Sequence, residues 1–118
     1  MRIVNLTPHT LVLIAADGRT VEIPPSGQVA RVQESVEKVG EVVVDGVPVP
    51  LVVRRFGQIE GLPEPQPGVL YAVSAITAEA AWAAGRTDVV VTGDYVRNEA
   101  GRIVGARVVI VHPQLAGA

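Results

Sequence analysis

The stretch that decides the fold runs from Gly68 to Gly93 and reads GVLYAVSAITAEAAWAAGRTDVVVTG. Its apolar Val69–Val73 run predicts a strand, and Ser74 stands where a helix would begin. The following Ala78–Ala84 segment favours helix, since alanine is the best helix former. Asp88–Val91 predicts a returning strand. Because parallel neighbours need a crossover connection, the whole stretch predicts a parallel βαβ unit with a single main helix.

Outside this unit the sequence predicts short strands joined by turns. Asp17-Gly18 and Asp45-Gly46 each separate two β-rich runs, which is a strong hairpin signal. A closing hairpin is expected to turn at Asn98–Gly101. Gln28–Gln33 predicts a short irregular strand, and Glu34–Lys38 predicts either one helical turn or a loop.

These elements together predict an α+β fold (a small mixed α/β layer) in which residues 1–118 form a single domain. The three prolines of Gly61–Gly68, GLPEPQPG, predict a rigid surface loop. One short helix covers only part of one sheet face, so the other face needs a loop, a folded-over hairpin or a second subunit. We therefore expect a homo-oligomer, most simply a C2 dimer.

Composition excludes several classes of protein. The 118 residues are 48% hydrophobic and carry a net charge of −2, with no cysteine. Disulfides and thiolate metal sites are therefore excluded, and no His-x-x-x-His spacing suggests a metal. Arg54-Arg55 is the only adjacent basic pair, which argues against binding a nucleic acid duplex. No apolar run is long enough to cross a membrane, so we expect a soluble cytoplasmic protein without a cofactor.

Polar residues follow both strands of the βαβ unit where the carboxyl ends of parallel strands would meet. Ser74 and Thr77 stand at the start of the helix, beside backbone N–H groups that lack intrahelical partners. Thr92 and Asp94 follow the second strand, and Asp94 could accept hydrogen bonds from ribose hydroxyls. The alternatives are a helix N-cap for Ser74 and an ordinary turn for Asp94. No G-x-S-x-G, G-x-G-x-x-G or Walker pattern is present.

Histidine and arginine residues supply the remaining candidates. His9, beside Pro8, is either a ligand contact, a general base or a residue that ends a strand. Arg31, Arg86 and Arg97 lie near strand or helix ends, where an Arg could bind a phosphate bidentately or simply stay solvated. The predicted ligand-binding set is Thr7, His9, Arg31, Ser74, Thr77, Thr92, Asp94 and Arg97.

The chain resembles a family of uncharacterised small proteins that occur in tailed phages, prophages and assorted bacteria. The resemblance spans nearly the whole chain and is carried by NLTPH at Asn5–His9, PPSGQVARV at Pro24–Val32, GLPEPQPG at Gly61–Gly68, VSA at Val73–Ala75 and VRNEAGRIVGAR at Val96–Arg107. It implies an accessory protein, and by analogy one that acts on nucleotide second messengers of bacterial defence.

Three functional hypotheses are consistent with these observations. The first is a small-molecule binding protein that sequesters a nucleotide-derived immune signal, such as a cyclic oligonucleotide or an ADP-ribose isomer, without catalytic residues. The second is a metal-independent phosphodiesterase of such signals, with His9 as base and an Arg stabilising the developing charge. The third is a structural or protein-binding module that uses exposed strand edges.

Overall fold

The computed structural model describes residues 1–115 and confirms the α+β class. In this part of the chain one helix accompanies eight strands, and a six-stranded sheet is separate from a two-stranded hairpin. The elements are β1 Arg2–Asn5, β2 Leu11–Ile14, β3 Thr20–Ile23, β4 Arg31–Val44, β5 Val47–Glu60, β6 Val69–Ala72, α1 Ala75–Ala83, β7 Val89–Arg97 and β8 Ile103–Ile110. No helix among them is both long and apolar enough to span a membrane.

The large sheet has the strand order β1-β6-β7-β8-β2-β3. Strands β1, β6 and β7 are mutually parallel, which confirms the predicted βαβ unit. The β7–β8 and β2–β3 pairs are antiparallel, and the second is the hairpin predicted at Asp17-Gly18. The sheet curls until its edge strands β1 and β3 approach each other. This is shown by the Asn5 Nδ2 amide, which donates to the Ile23 carbonyl at 2.9 Å.

Both faces of the central strands are covered by the chain itself. On the helix side, Tyr71, Val89 and Val91 pack with residues of α1. On the other side, Leu70, Ala72 and Val90 form a cluster against which Leu11 of β2 and Val109 of β8 pack. Residues of β2 and β8 therefore help to cover the face that sequence analysis left bare, so that face alone gives no reason to expect a second subunit.

Helix α1 begins at Ala75 with Ser74 as its N-cap residue, which confirms the predicted start of the helix at Ser74. Ile76 and Thr77 have lower helix propensity than alanine, but burial of Thr77 against the sheet offsets that cost. The helix ends in a Schellman pattern, in which the Gly85 and Arg86 N–H groups donate back into its last turn.

Strands β4 and β5 form a long two-stranded arm, Arg31–Glu60, of 14 residues in each strand. The predicted hairpin at Asp45-Gly46 is confirmed, with φ of 50° and 79° typical of a type I′ turn. The helical turn or loop predicted for Glu34–Lys38 is wrong, because these residues pair with β5. The radius of gyration is 17.5 Å, against about 13–14 Å for a compact chain of this length, because the arm projects from the body.

Strand β7 is longer than the sequence suggested. Thr92-Gly93-Asp94 was expected to follow the end of a short strand, but these residues lie in the middle of β7. The strand continues because its second half pairs with β8 after its pairing with β6 has ended. The turn predicted at Asn98–Gly101 is confirmed by the Gly101 N–H, which donates to the Asn98 carbonyl at 2.9 Å.

Candidate functional site

A cleft of about 870 Å³ opens at the edge where β1 and β6 end and where the pairing of β6 with β7 stops. This is the edge at which α/β proteins usually bind small ligands. The volume lies in the range of about 300–1,000 Å³ that is typical of small-molecule sites. Six of the eight residues predicted from sequence line it: Thr7, His9, Arg31, Ser74, Thr77 and Thr92.

The first turn of α1 forms one wall of the cleft. Ser74 is exposed and makes no side-chain capping hydrogen bond, so the role predicted for its hydroxyl, capping the helix, is wrong. Instead its Oγ donates to Thr77 Oγ1 at 2.9 Å. The first-turn N–H groups therefore have no side-chain acceptor, and the positive end of the helix dipole faces the cleft.

A tight loop at Thr7–His9 forms the opposite rim, and buried Asn5 organises it. Asn5 Nδ2 donates to the His9 carbonyl at 2.7 Å, while Asn5 Oδ1 accepts from the Thr7 N–H at 2.9 Å and from Thr7 Oγ1 at 2.7 Å. The side chain is only 1% exposed, and all of its polar groups are paired. Asn5 thus fixes the position of two cleft residues without facing the ligand space.

The charged side chain of the cleft is Arg31, the first residue of β4. It is exposed and makes no ion pair with any described residue. His9 lies on the same lining, also exposed, and no carboxylate contributes to the wall within residues 1–115. The Arg31 guanidinium therefore favours an anion at its side of the cleft.

Strand β7 supplies a wall that sequence analysis identified only in part. The Tyr95 hydroxyl donates to the Thr92 carbonyl at 2.8 Å and lies 3.1 Å from Thr92 Oγ1. Tyr95 is 46% exposed and lines the cleft, so its ring is available for stacking against a planar group. Alternation along a regular strand places Tyr95 on the face opposite Thr92, so no sequence signal identified it; the φ of 52° at Asp94 interrupts that alternation.

Two predicted ligand residues lie outside the cleft lining. Asp94 is exposed on β7, with a φ of 52° in the left-handed region. Arg97 donates from its guanidinium to the Gly101 carbonyl at 2.8 Å, which places it at the closing turn. Asp94 stands between the lining residues Thr92 and Tyr95 without being part of the lining, and Arg97 lies two residues farther along β7 than Tyr95.

Arg86, the third cation considered, is part of the scaffold. Its guanidinium donates to both carboxylate oxygens of Asp88, at 3.0 and 2.9 Å, and to the Pro63 carbonyl at 2.8 Å. The hydrogen bond to Asp88 raises the pKa of Arg86 above its ordinary value, although partial burial opposes this. Arg86 therefore connects the end of α1 to the proline-rich loop.

The residues described here contain no group of three or more His, Asp or Glu side chains arranged to hold a metal ion. Comparison with known proteins finds no matching family model, no matching curated protein and no matching solved structure. The resemblance to phage proteins stays a prediction, and the function has to be inferred from the geometry of the cleft.

Proposed function

We propose that this protein binds a small anionic ligand derived from a nucleotide and holds it in the cleft at the ends of β1 and β6, beside the middle of β7. The observation that carries the proposal is the combination of helix N–H donors, hydroxyl groups and Arg31 around one opening of about 870 Å³. A phosphate would meet the first turn of α1 and the Arg31 guanidinium, which both favour negative charge.

The hydroxyl groups and the aromatic wall suit the remaining parts of a nucleotide. Thr7 and Thr92 line the cleft near its apolar residues and can bond ribose hydroxyls. Tyr95 presents a half-exposed ring on which a base could stack, and such stacking is worth about 1–3 kcal/mol. Cyclic oligonucleotides and ADP-ribose isomers combine all three chemistries.

A depletion-and-release assay tests this proposal. The purified protein is mixed with a panel of cyclic dinucleotides, cyclic trinucleotides and ADP-ribose isomers, and the filtrate is analysed by chromatography before and after heat denaturation. A compound that disappears and returns intact supports sequestration. A compound that returns cleaved supports the phosphodiesterase alternative, in which His9 is the base, and an undiminished panel refutes both.

Two arginine variants locate the site. Arg31→Ala is expected to weaken binding of the depleted compound by about 10- to 100-fold, since a charge-assisted hydrogen bond is worth about 1.5–3 kcal/mol. Arg97→Ala removes the same side chain from the closing turn and is expected to bind as wild type does, within about 2-fold. Titration calorimetry measures both, and equal losses would contradict the assigned cleft.

A further inference from the structure

Tyr95 reaches the cleft in a way that a regular strand does not allow. In an extended strand, residues three apart lie about 10 Å from one another and point to opposite faces. Tyr95 nevertheless bonds back to Thr92 on the same strand, since its hydroxyl lies 2.8 Å from the Thr92 carbonyl oxygen and 3.1 Å from Thr92 Oγ1. The backbone between these two residues therefore departs from regular β geometry.

The departure lies at Asp94, whose φ of 52° is in the left-handed region. The register of β7 with β8 is unbroken from the Gly93–Val108 pair to the Tyr95–Ala106 pair, so no residue is inserted into the ladder. A residue other than glycine costs free energy in this conformation, although aspartate tolerates it better than most. Such strain in the middle of a paired strand is typical of functional sites.

The Tyr95 ring is held at both ends and stays open to solvent between them. Its backbone is fixed in the β7–β8 ladder, and its hydroxyl is fixed at Thr92. The residue is nevertheless half-exposed. A ring that is already ordered loses little conformational freedom when a ligand packs on it, so it binds a planar group more favourably than a mobile ring would.

Tyr95 also borders a smaller depression of about 100 Å³, which adjoins the cleft between β2 and β8. The residues that line both spaces are Thr10, Leu11, Thr92, Tyr95 and Ile103. At about 30 Å³ per water molecule the depression has room for about three waters. That suits the edge of a planar heterocycle stacked on Tyr95, while the rest of a ligand stays in the cleft.

We propose that Asp94 is a positioning residue, whose left-handed backbone presents Tyr95 as the stacking platform for a nucleobase beside this depression. The inference rests on the proposed function, because it names the part of the cleft that takes the base. The role belongs to the backbone of residue 94. Its carboxylate is exposed, lies outside the cleft lining and forms none of the ion pairs within residues 1–115.

The positioning is tested first in the free protein, by NMR contacts between the Tyr95 ring and the Thr92 side chain. Asparagine accepts a positive φ as aspartate does, so Asp94→Asn is expected to keep these contacts. Valine is strongly disfavoured there, so Asp94→Val is expected to lose them as regular alternation returns and Tyr95 turns to the other face. Circular dichroism establishes that the variants are folded, and Asp94→Ala replaces Asp94→Val should valine prevent folding. Contacts that persist in the folded variant would overturn the positioning role.

The base subsite is tested with AMP and ribose 5-phosphate, two probes that share a phosphate and a sugar and differ by the base. Wild type and Asp94→Asn are expected to bind AMP roughly 5- to 150-fold more tightly than ribose 5-phosphate, as the stacking of one base implies. Asp94→Val and Tyr95→Ala are expected to lose this preference while their affinity for ribose 5-phosphate stays within about 3-fold of wild type.

The two probes separate a failure of this inference from a failure of the proposed function. Equal affinities of wild type for both probes, or a preference for AMP that survives in Asp94→Val, would overturn the base subsite and leave the phosphate site standing. Loss of the preference in Asp94→Asn would assign the effect to the carboxylate and overturn the positioning role. Binding of neither probe by wild type would overturn the proposed function and the base subsite with it.

Discussion

Removing the Asn5 side chain should destabilise the protein and disorganise the cleft at once. Asn5 is 1% exposed and makes four side-chain hydrogen bonds, two from Nδ2 and two to Oδ1. Each net hydrogen bond is worth about 0.5–1.5 kcal/mol, and the Ile23 and His9 carbonyls would lose a donor. Water can reach the partly exposed Thr7 and replace the bonds that Thr7 loses. We therefore expect Asn5→Ala to lower the free energy of unfolding by about 3 kcal/mol.

The measurement is urea unfolding followed by the fluorescence of Trp82, the single tryptophan of the chain. Asn98→Ala is the matched control, because Asn98 also accepts two backbone N–H groups, from Ala100 and Arg102, but does so on the exposed closing turn. Water can replace those bonds, so the control should lose less than about 1 kcal/mol. A loss for Asn5→Ala no greater than that of the control would refute the reasoning.

Two further variants test the scaffold around the cleft. Gly61→Ala should lower the free energy of unfolding by more than about 2 kcal/mol, because Gly61 has a φ of +81° and its new Cβ would overlap the Val29 carbonyl oxygen. Gly68→Ala, at a φ of +74° in open space, should cost only about 1 kcal/mol, and equal losses in urea unfolding would contradict the steric argument. Trp82→Phe removes the indole N–H that donates to the Val89 carbonyl at 2.8 Å. Thermal unfolding should therefore show that the free energy of unfolding falls by about 1–3 kcal/mol. An unchanged midpoint temperature would mean that this bond contributes nothing to stability.

The fold elements that could be predicted are those with local signals. Asp17-Gly18 and Asp45-Gly46 specify tight turns through their own backbone preferences, and the apolar Val69–Val73 run leads into an alanine-rich helix. Glu34–Lys38 could not be recognised as strand, because its partners are Val52 to Phe56, far along the chain. Cross-strand packing, more than local propensity, determines that part of the arm.

The residues of the candidate site likewise divide into those with a local sequence signal and those whose position depends on distant parts of the chain. Ser74, Thr77 and Thr92 were found because a βαβ unit brings the ends of its strands to one edge. Asn5 was missed because its role depends on the curl of the sheet that brings Ile23 beside it, although Asn two residues before Thr is an Asx-turn signal. Asp94 was placed in the ligand set because β7 was expected to end before it.

The most direct test of the central claim is to map, residue by residue, where a nucleotide ligand binds. ¹⁵N-labelled protein is titrated with the panel compound that it depletes, and the backbone amide shifts are followed by NMR. We expect saturable shifts at Thr7 and at the first-turn amides of Ser74–Thr77, with none at the arm turn Asp45-Gly46. Shifts confined to the arm, or an unchanged spectrum for every compound of the panel, would contradict the assignment of the cleft as a nucleotide site.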